Sequence, residues 1–211
     1  MTQDDDVIAN QRAKLAEQCW AELAATSFDN LSIEAIAQQL GMSAAEAHLA
    51  GGSVTDLILY QLDKIDHQAL STSFTDFADD PDATIYEKLF EGLVMRFEIF
   101  AEYRAQISAL HEAAKRNPIL GLHLSHQLAG VMGKLLWLSG DESTGFVKEA
   151  RKLGVTAAVM RVRPVWQDDQ SADLGQTMKK LDDELKKACE WAISLRILSK
   201  DDVVLRQGDL S

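Results

Sequence analysis

The sequence predicts an all-α fold with a small N-terminal helical head and a larger C-terminal helical bundle. Only three prolines interrupt its 211 residues. Long segments repeat apolar residues at the i, i+3, i+4 spacing of a half-buried helix, and none alternates apolar with polar residues as a half-buried strand does. At 46% hydrophobic and 26% charged, the chain carries enough apolar material for both a core and a ligand cavity.

The elements follow in order. A first helix is expected from about Val7 to Ala25. Ser32 reads as the N-cap of a short second helix, about Ile33 to Leu40, which Gly41 ends, and Ser43 as the cap of a third, about Ala44 to Ala50. A hydroxyl at that position accepts from the free N–H groups of the first turn. Gly51-Gly52-Ser53 breaks the chain before a fourth helix, expected over Val54 to Thr72. Residues 76–82, with Asp79-Asp80-Pro81, have the composition of a linker, which would divide a head (1–75) from a C-terminal domain (76–200) and a polar tail (201–211). Further helices are expected over about Thr84–Phe100, Tyr103–Arg116, Ile119–Ser139, Gly145–Trp166 and Ala172–Leu198, with Pro118 at a boundary. Pro164 should kink or end its helix, because proline lacks the N–H and crowds the preceding turn.

Residues 32–63 have the layout of a helix-turn-helix without the charge a DNA reader needs. Ser43, Ala44, Ala45, Glu46 and His48 occupy the recognition-helix positions, yet no Lys or Arg occurs between Lys14 and Lys64. The same interval carries Glu17, Glu22, Asp29, Glu34, Glu46, Asp56 and Asp63. DNA affinity comes mostly from cations that neutralise phosphates, so this recognition helix is degenerate and DNA binding is doubtful. Arg12, Lys14 and Lys64 are the nearby cations left to it. The net charge of −12 likewise disfavours loose association with nucleic acid or anionic lipid.

Cys19 and Cys189 lie in no Cys-x-x-Cys or Cys/His spacing and read as reduced core residues. The acidic start, Thr2 to Asp6, lacks the basic flank of a secretory signal, and the uncharged run Pro118–Gly133 is too short and polar to span a bilayer, so a cytoplasmic, bacterial protein is expected. His123 and His126 have no second ligand pair to complete a metal site, and no Ser or His falls in a nucleophile elbow. No cofactor, metal or enzyme activity is expected.

A helix-turn-helix head followed by longer helices resembles the tetracycline-repressor (TetR) superfamily, with Leu31–Leu57 as its signature region. Gly41-Met42-Ser43 and Leu57 fit the scaffold half of that signature. His48, Gly51 and Val54 stand where the family places a Tyr, a Phe and a Lys toward DNA. The whole chain more closely resembles the ubiquinone-biosynthesis accessory family, the ninth coenzyme Q protein of mitochondria and its bacterial relatives. The resemblance rests on three blocks: Leu40 to Ala45 with Leu57 to Tyr60; Trp137 with Gly140-Asp141-Glu142-Ser143-Thr144 and Phe146; and Asp169, Ser171, Asp173, Thr177 and Leu181. Gly145 departs from that family's Asp, residues 147–151 depart from its aromatic run while Arg151 fits its Arg position, and residues 200–211 are too short and acidic for its membrane-engaging helix. The resemblance implies a TetR-like fold and a non-enzymatic, lipid- or isoprenoid-binding accessory protein, with peripheral membrane contact its least supported part. The alternative is a ligand-responsive TetR-family transcriptional regulator.

Three sets of residues are candidates for these roles. Phe90, Leu93, Val94 and Phe97 on the fifth helix, with Leu124, Leu128, Met132 and Trp137 on the seventh, form apolar stripes that are either plain core or the wall of a pocket for an apolar small molecule or lipid. Gly92, Gly121, Gly130 and Gly133 either make room for a ligand or allow close packing. Gly140, Asp141, Ser143, Thr144, Ser171 and Asp173 read first as helix caps. Met178, Leu181, Leu185, Ala188 and Ala192, continued by Leu195, form a stripe that packs on its own domain or seals a two-fold interface; the resemblance favours a homodimer.

Overall fold

The computed structural model describes residues 3–80 and 82–194, and among these every regular element is helical. The α-helices are α1 (Gln3–Leu23), α2 (Ile33–Gln39), α3 (Ala44–Gly51), α4 (Val54–Asp79), α5 (Ile85–Phe100), α6 (Arg104–Arg116), α7 (Pro118–Leu138), α8 (Gly145–Asp168) and α9 (Gly175–Ser194). The tail 201–211, Leu195 to Leu198 of the expected last helix, and Pro81 of the expected linker lie outside the described residues.

The chain divides into two compact units that are discontinuous in sequence. One holds the described residues up to Asp66 together with Glu102–Gln127; the other holds His67–Ala101 and the described residues from Leu128 on. The sequence suggested a single boundary near residue 75 instead. The difference lies in α4 and α7, each of which contributes residues to both units. α4 continues to Asp79, through most of the segment expected to be a linker. Ser73 and Phe77 are buried, and burial of an apolar face outweighs the weak helix propensity of Ser, Thr and Asp in this stretch.

In the first unit α1 packs against α2, α3 and α6. Leu15, Ala16, Cys19 and Leu23 bury one face of α1, and α2 and α3 answer with Ile33, Ile36, Ala37, Ala47 and Ala50. Burial pushes the Cys19 thiol up to about 12, which leaves it an inert core residue. The turn after α2 is a Schellman closure: Gly41 takes φ 69°, its N–H reaches the Gln38 carbonyl at 3.2 Å and the Met42 N–H reaches the Ala37 carbonyl at 2.9 Å. Ser43 then opens α3 with a reciprocal capping box to Glu46.

In the second unit α8 and α9 pack along each other and α5 packs on α9. Pro164 does not end α8, which runs on to Asp168. Trp166, just beyond it, is buried, and its indole N–H donates to the Phe97 carbonyl at 3.0 Å. That bond satisfies one of the carbonyls left open at the C-terminal end of α5. The packing of Trp166 therefore holds the last turn of α8 helical past the proline.

Glu184 of α9 is buried beneath three cations: Lys180 at 2.9 Å, Lys187 at 3.0 Å and Arg161 at 3.5 Å. Hydrogen bonds from Lys180 and Lys187 pull its carboxyl down to about 2 from an ordinary 4.5. A lowered folded-state value stabilises the fold above the unfolded value and is lost as pH falls through the folded one. Melting temperature is therefore expected to drop between roughly pH 4.5 and 2, and Glu184→Gln to flatten part of that drop. Equal acid profiles for the two proteins, measured by circular dichroism melts, would remove Glu184 as a cause.

Candidate functional site

The stripes expected to line a cavity are mostly closed. Leu93 and Met132 are fully buried and Phe97 nearly so, with the Phe97 ring 5.7 Å from that of Trp166. Phe90, Val94, Leu124 and Leu128 are half-buried, and Leu124 belongs to the first unit whereas the others belong to the second. Trp137 is exposed and stands outside the closed part of the stripe. The glycines do not open this region: a Cβ on Gly92 would stand 2.6 Å from Leu135 Cδ1 and 3.2 Å from Phe77 Cζ. Gly92 thus permits close packing. Gly130 faces solvent, with nothing within 4 Å of its Cβ position, so it is no wall residue.

The second unit does contain an open apolar cleft of about 100 Å³, displaced from these stripes. Ile85, Tyr86 and Leu89 line it from α5, and Leu136 and Asp141 from the end of α7 and the turn beyond. α8 contributes Ala150, Arg151, Gly154 and Val155, and α9 contributes Leu185, Ala188, Cys189 and Ala192. Small residues at 150, 154, 188 and 192 keep α8 and α9 from filling the space. Gly154 has nothing within 4 Å of its Cβ position.

The cleft wall depends on the turn between α7 and α8. Gly140, at φ 97°, closes α7: its N–H bonds the Trp137 carbonyl and the Asp141 N–H bonds the Leu136 carbonyl, each at 3.0 Å. That closure turns the Asp141 side chain inward, where Oδ1 accepts from the Ser143 N–H at 3.0 Å and from Arg151 Nη1 at 2.7 Å. The Asp141 carboxylate is almost wholly buried (3% exposed) and the Arg151 side chain retains 16%. Ser143 makes no cap, its buried Oγ having no partner, and Thr144 holds the N-cap position of α8 without a side-chain bond. On the opposite wall the Tyr86 hydroxyl donates to Asp182 Oδ1 at 2.7 Å; burial, then this bond, raises its pKa.

The third block closes the α8–α9 connection. Asp169, not Ser171, is the main cap of α9: Oδ2 accepts from the N–H and Oγ1 of Thr177 at 2.9 and 2.8 Å. Oδ1 accepts from the Ser171 N–H at 3.1 Å and from its hydroxyl at 2.5 Å. These bonds hold the Asp169 carboxyl well below its ordinary range, the Ser171 hydroxyl contributing most. Ser171 Oγ and Asp173 Oδ1 each accept from Gly175 N–H at 3.3 Å. The connection also forces buried Leu174 to φ 49°, a region a branched side chain rarely takes.

The stripe assigned to a homodimer faces inward. Leu181 and Leu185 are buried in their own unit, Met178 is half-buried, and Ala188 and Ala192 line the cleft. An apolar stripe on an amphipathic helix reads alike whether its own unit or a second copy covers it. The apolar residues exposed on α8 are Phe146, Leu153 and Met160, seven residues apart and hence on one outer line, with Trp191 exposed on α9.

On the head, Ala44, Ala45, Glu46 and His48 are exposed on α3, as is Leu49. His48 Nε2 lies 2.9 Å from Glu34 Oε1. The Glu34 carboxyl is held at about 2 by the Ser32 hydroxyl, its own N–H and His48, and Glu46 is lowered by Ser43. Arg12 stacks over the Tyr60 ring at 5.1 Å and Arg116 pairs with Asp29 at 3.2 Å. Glu34 and Glu46 thus stand as exposed carboxylates on α2 and α3.

Among the described residues no three His, Cys, Asp or Glu side chains gather as a metal site, and no helix is long and apolar enough to cross a membrane. No protein-family model matches the chain, and no curated protein matches it.

Proposed function

We propose that this chain is a non-enzymatic binding protein for an apolar small molecule, an accessory protein of the kind the ubiquinone-biosynthesis resemblance implies, on a TetR-like arrangement of helices. The observation that carries the reading is the apolar cleft between α5, α8 and α9, held open by small residues and bearing one buried ion pair at its wall. Its volume, about 100 Å³, is of the order of an engineered cavity of roughly 150 Å³ that holds benzene. A ring or a short chain segment fits, and a longer isoprenoid tail would extend into solvent. The expected pocket around Phe97, Leu124 and Met132 gives way to this site. A regulator reading a DNA operator fits less well, since Glu34 of α2 and Glu46 of α3 are exposed carboxylates and neither helix carries a Lys or Arg. A second copy would be held by the outer line of α8, because the α9 stripe is spent inside the unit.

Gly154 provides the test. Gly154→Leu adds volume to open space within a helix and removes a helix-weakening glycine, so stability is expected to hold or to rise by up to about 1 kcal/mol while ligand binding is lost. Gly92→Leu enters a closed contact and is expected to cost roughly 1–3 kcal/mol. The readouts are melting temperature and native mass spectrometry of protein purified without delipidation. If the Gly154 variant melts as far below wild type as the Gly92 variant, and wild type retains no small molecule, the cleft is ordinary packing and the binding function falls.

A further inference from the structure

We propose that the surface where α8 meets α9 holds a second site, separate from the cleft, that receives a phosphate group through Arg161, Lys180 and Lys187. All three converge on the buried Glu184 carboxylate: Lys180 and Lys187 donate to Oε1 at 2.9 and 3.0 Å, and Arg161 Nη1 stands 3.5 Å from Oε2. Among the described residues no second carboxylate pairs with any of these cations. Asp182 of the same helix is taken by Lys186 and the Tyr86 hydroxyl, and the exposed Asp183 makes no ion pair with the three. Three cations thus share one anion, in a chain whose net charge is −12. Like charges repel, so such a cluster stays together only through the carboxylate between its members. Glu184 lies underneath with 5% of its side chain exposed, while Arg161, Lys187 and Lys180 keep 62%, 57% and 34% of theirs. The carboxylate gathers the cations from below and leaves their outer sides to solvent. What fits there is a compact dianion. A phosphate monoester carries about two negative charges at neutral pH and an acceptor oxygen for each cation, whereas a carboxylate offers half that charge. The acidic residues elsewhere on the chain oppose it little, because charges farther off than about 8 Å are largely screened at physiological salt.

Glycerol 3-phosphate, inorganic phosphate, acetate and glycerol give the test, titrated into the full chain at fixed ionic strength and followed by protein NMR. Both phosphates are expected to shift Arg161, Lys180 and Lys187 saturably, glycerol not at all, and acetate to bind about tenfold more weakly, as one lost charge-assisted bond allows. Arg161→Gln and Lys187→Gln, each at a well-exposed side chain, should weaken both phosphates about tenfold. Lys148→Gln removes an equal charge from an exposed position elsewhere on α8 and should change nothing. Phosphatidylcholine vesicles with and without phosphatidate separate the sources of the phosphate. Co-sedimentation with phosphatidate in addition to the soluble shifts makes it a lipid headgroup, and soluble shifts alone make it a free phosphate ester. No shift by either soluble phosphate overturns the site, whatever the vesicles do. An equal loss in Lys148→Gln, which would mean general attraction, overturns it too, as does acetate binding as tightly as phosphate. Binding that survives both the Arg161 and the Lys187 variants has the same consequence. None of these outcomes touches the cleft, whose test at Gly154 stands apart.

Discussion

Leu181→Asp is expected to unfold the second unit and not to yield a folded monomer. Leu181 is wholly buried, within the interval where α9 packs on α8 and α5. A carboxylate there has no cation designed to meet it, and burying an unpaired charge costs several kcal/mol even after the surroundings relax. Native domains hold only about 5–15 kcal/mol in total, so the variant should lose most of its cooperative melt. Leu153→Glu is the contrast. Leu153 is 60% exposed on the outer line of α8, so the charge is solvated, and the fold should stay within about 0.5 kcal/mol of wild type. If two copies associate through that line, light scattering will find Leu153→Glu monomeric at a concentration where wild type is dimeric. A Leu181→Asp chain that melts normally and only dissociates would return the interface to α9.

These two leucines mark where the sequence stops being legible. The i, i+3, i+4 pattern places both on helices and says which face is apolar, but it carries no information on what covers that face. The same holds for Phe97: helical spacing identified it as inward-facing, and whether inward meant core or cavity depended on Trp166, 69 residues further along the chain. Punctuation was legible where the chemistry is local. Ser32, Gly41 and Ser43 act within four residues of themselves, and the structure places their caps and turn as written. Ser143 and Ser171 were not legible in the same way. Asp141 and Asp169 each out-compete the neighbouring hydroxyl for the free N–H groups, and a carboxylate's reach over eight residues, from Asp169 to Thr177, lies outside the short capping pattern.

The cleft itself left a faint signal. Ala150 with Gly154, and Ala188 with Ala192, repeat small residues at i, i+4 on consecutive helices, a pattern that serves close packing as well as open space. Arg151 was legible as a position worth attention, but its partner was not, since ten residues and a turn separate it from Asp141.

Trp166 carries the last and most local test of the second unit. Its ring fills the space against Phe97 at 5.7 Å and its N–H caps the end of α5 through the Phe97 carbonyl. Trp166→Ala removes both and leaves a cavity, so a loss of about 3–5 kcal/mol is expected, within reach of unfolding the unit at 37 °C. Trp166→Phe keeps most of the ring contact and strands the carbonyl, for which a loss of roughly 1–3 kcal/mol is expected. Because Trp166 follows Pro164 and holds the final turn of α8, Trp166→Ala should also fray that turn, seen as faster amide exchange at Gln167 and Asp168. Unchanged exchange there, together with equal stability for the Ala and Phe variants, would mean that neither the ring contact nor the capped carbonyl holds α8 past its proline.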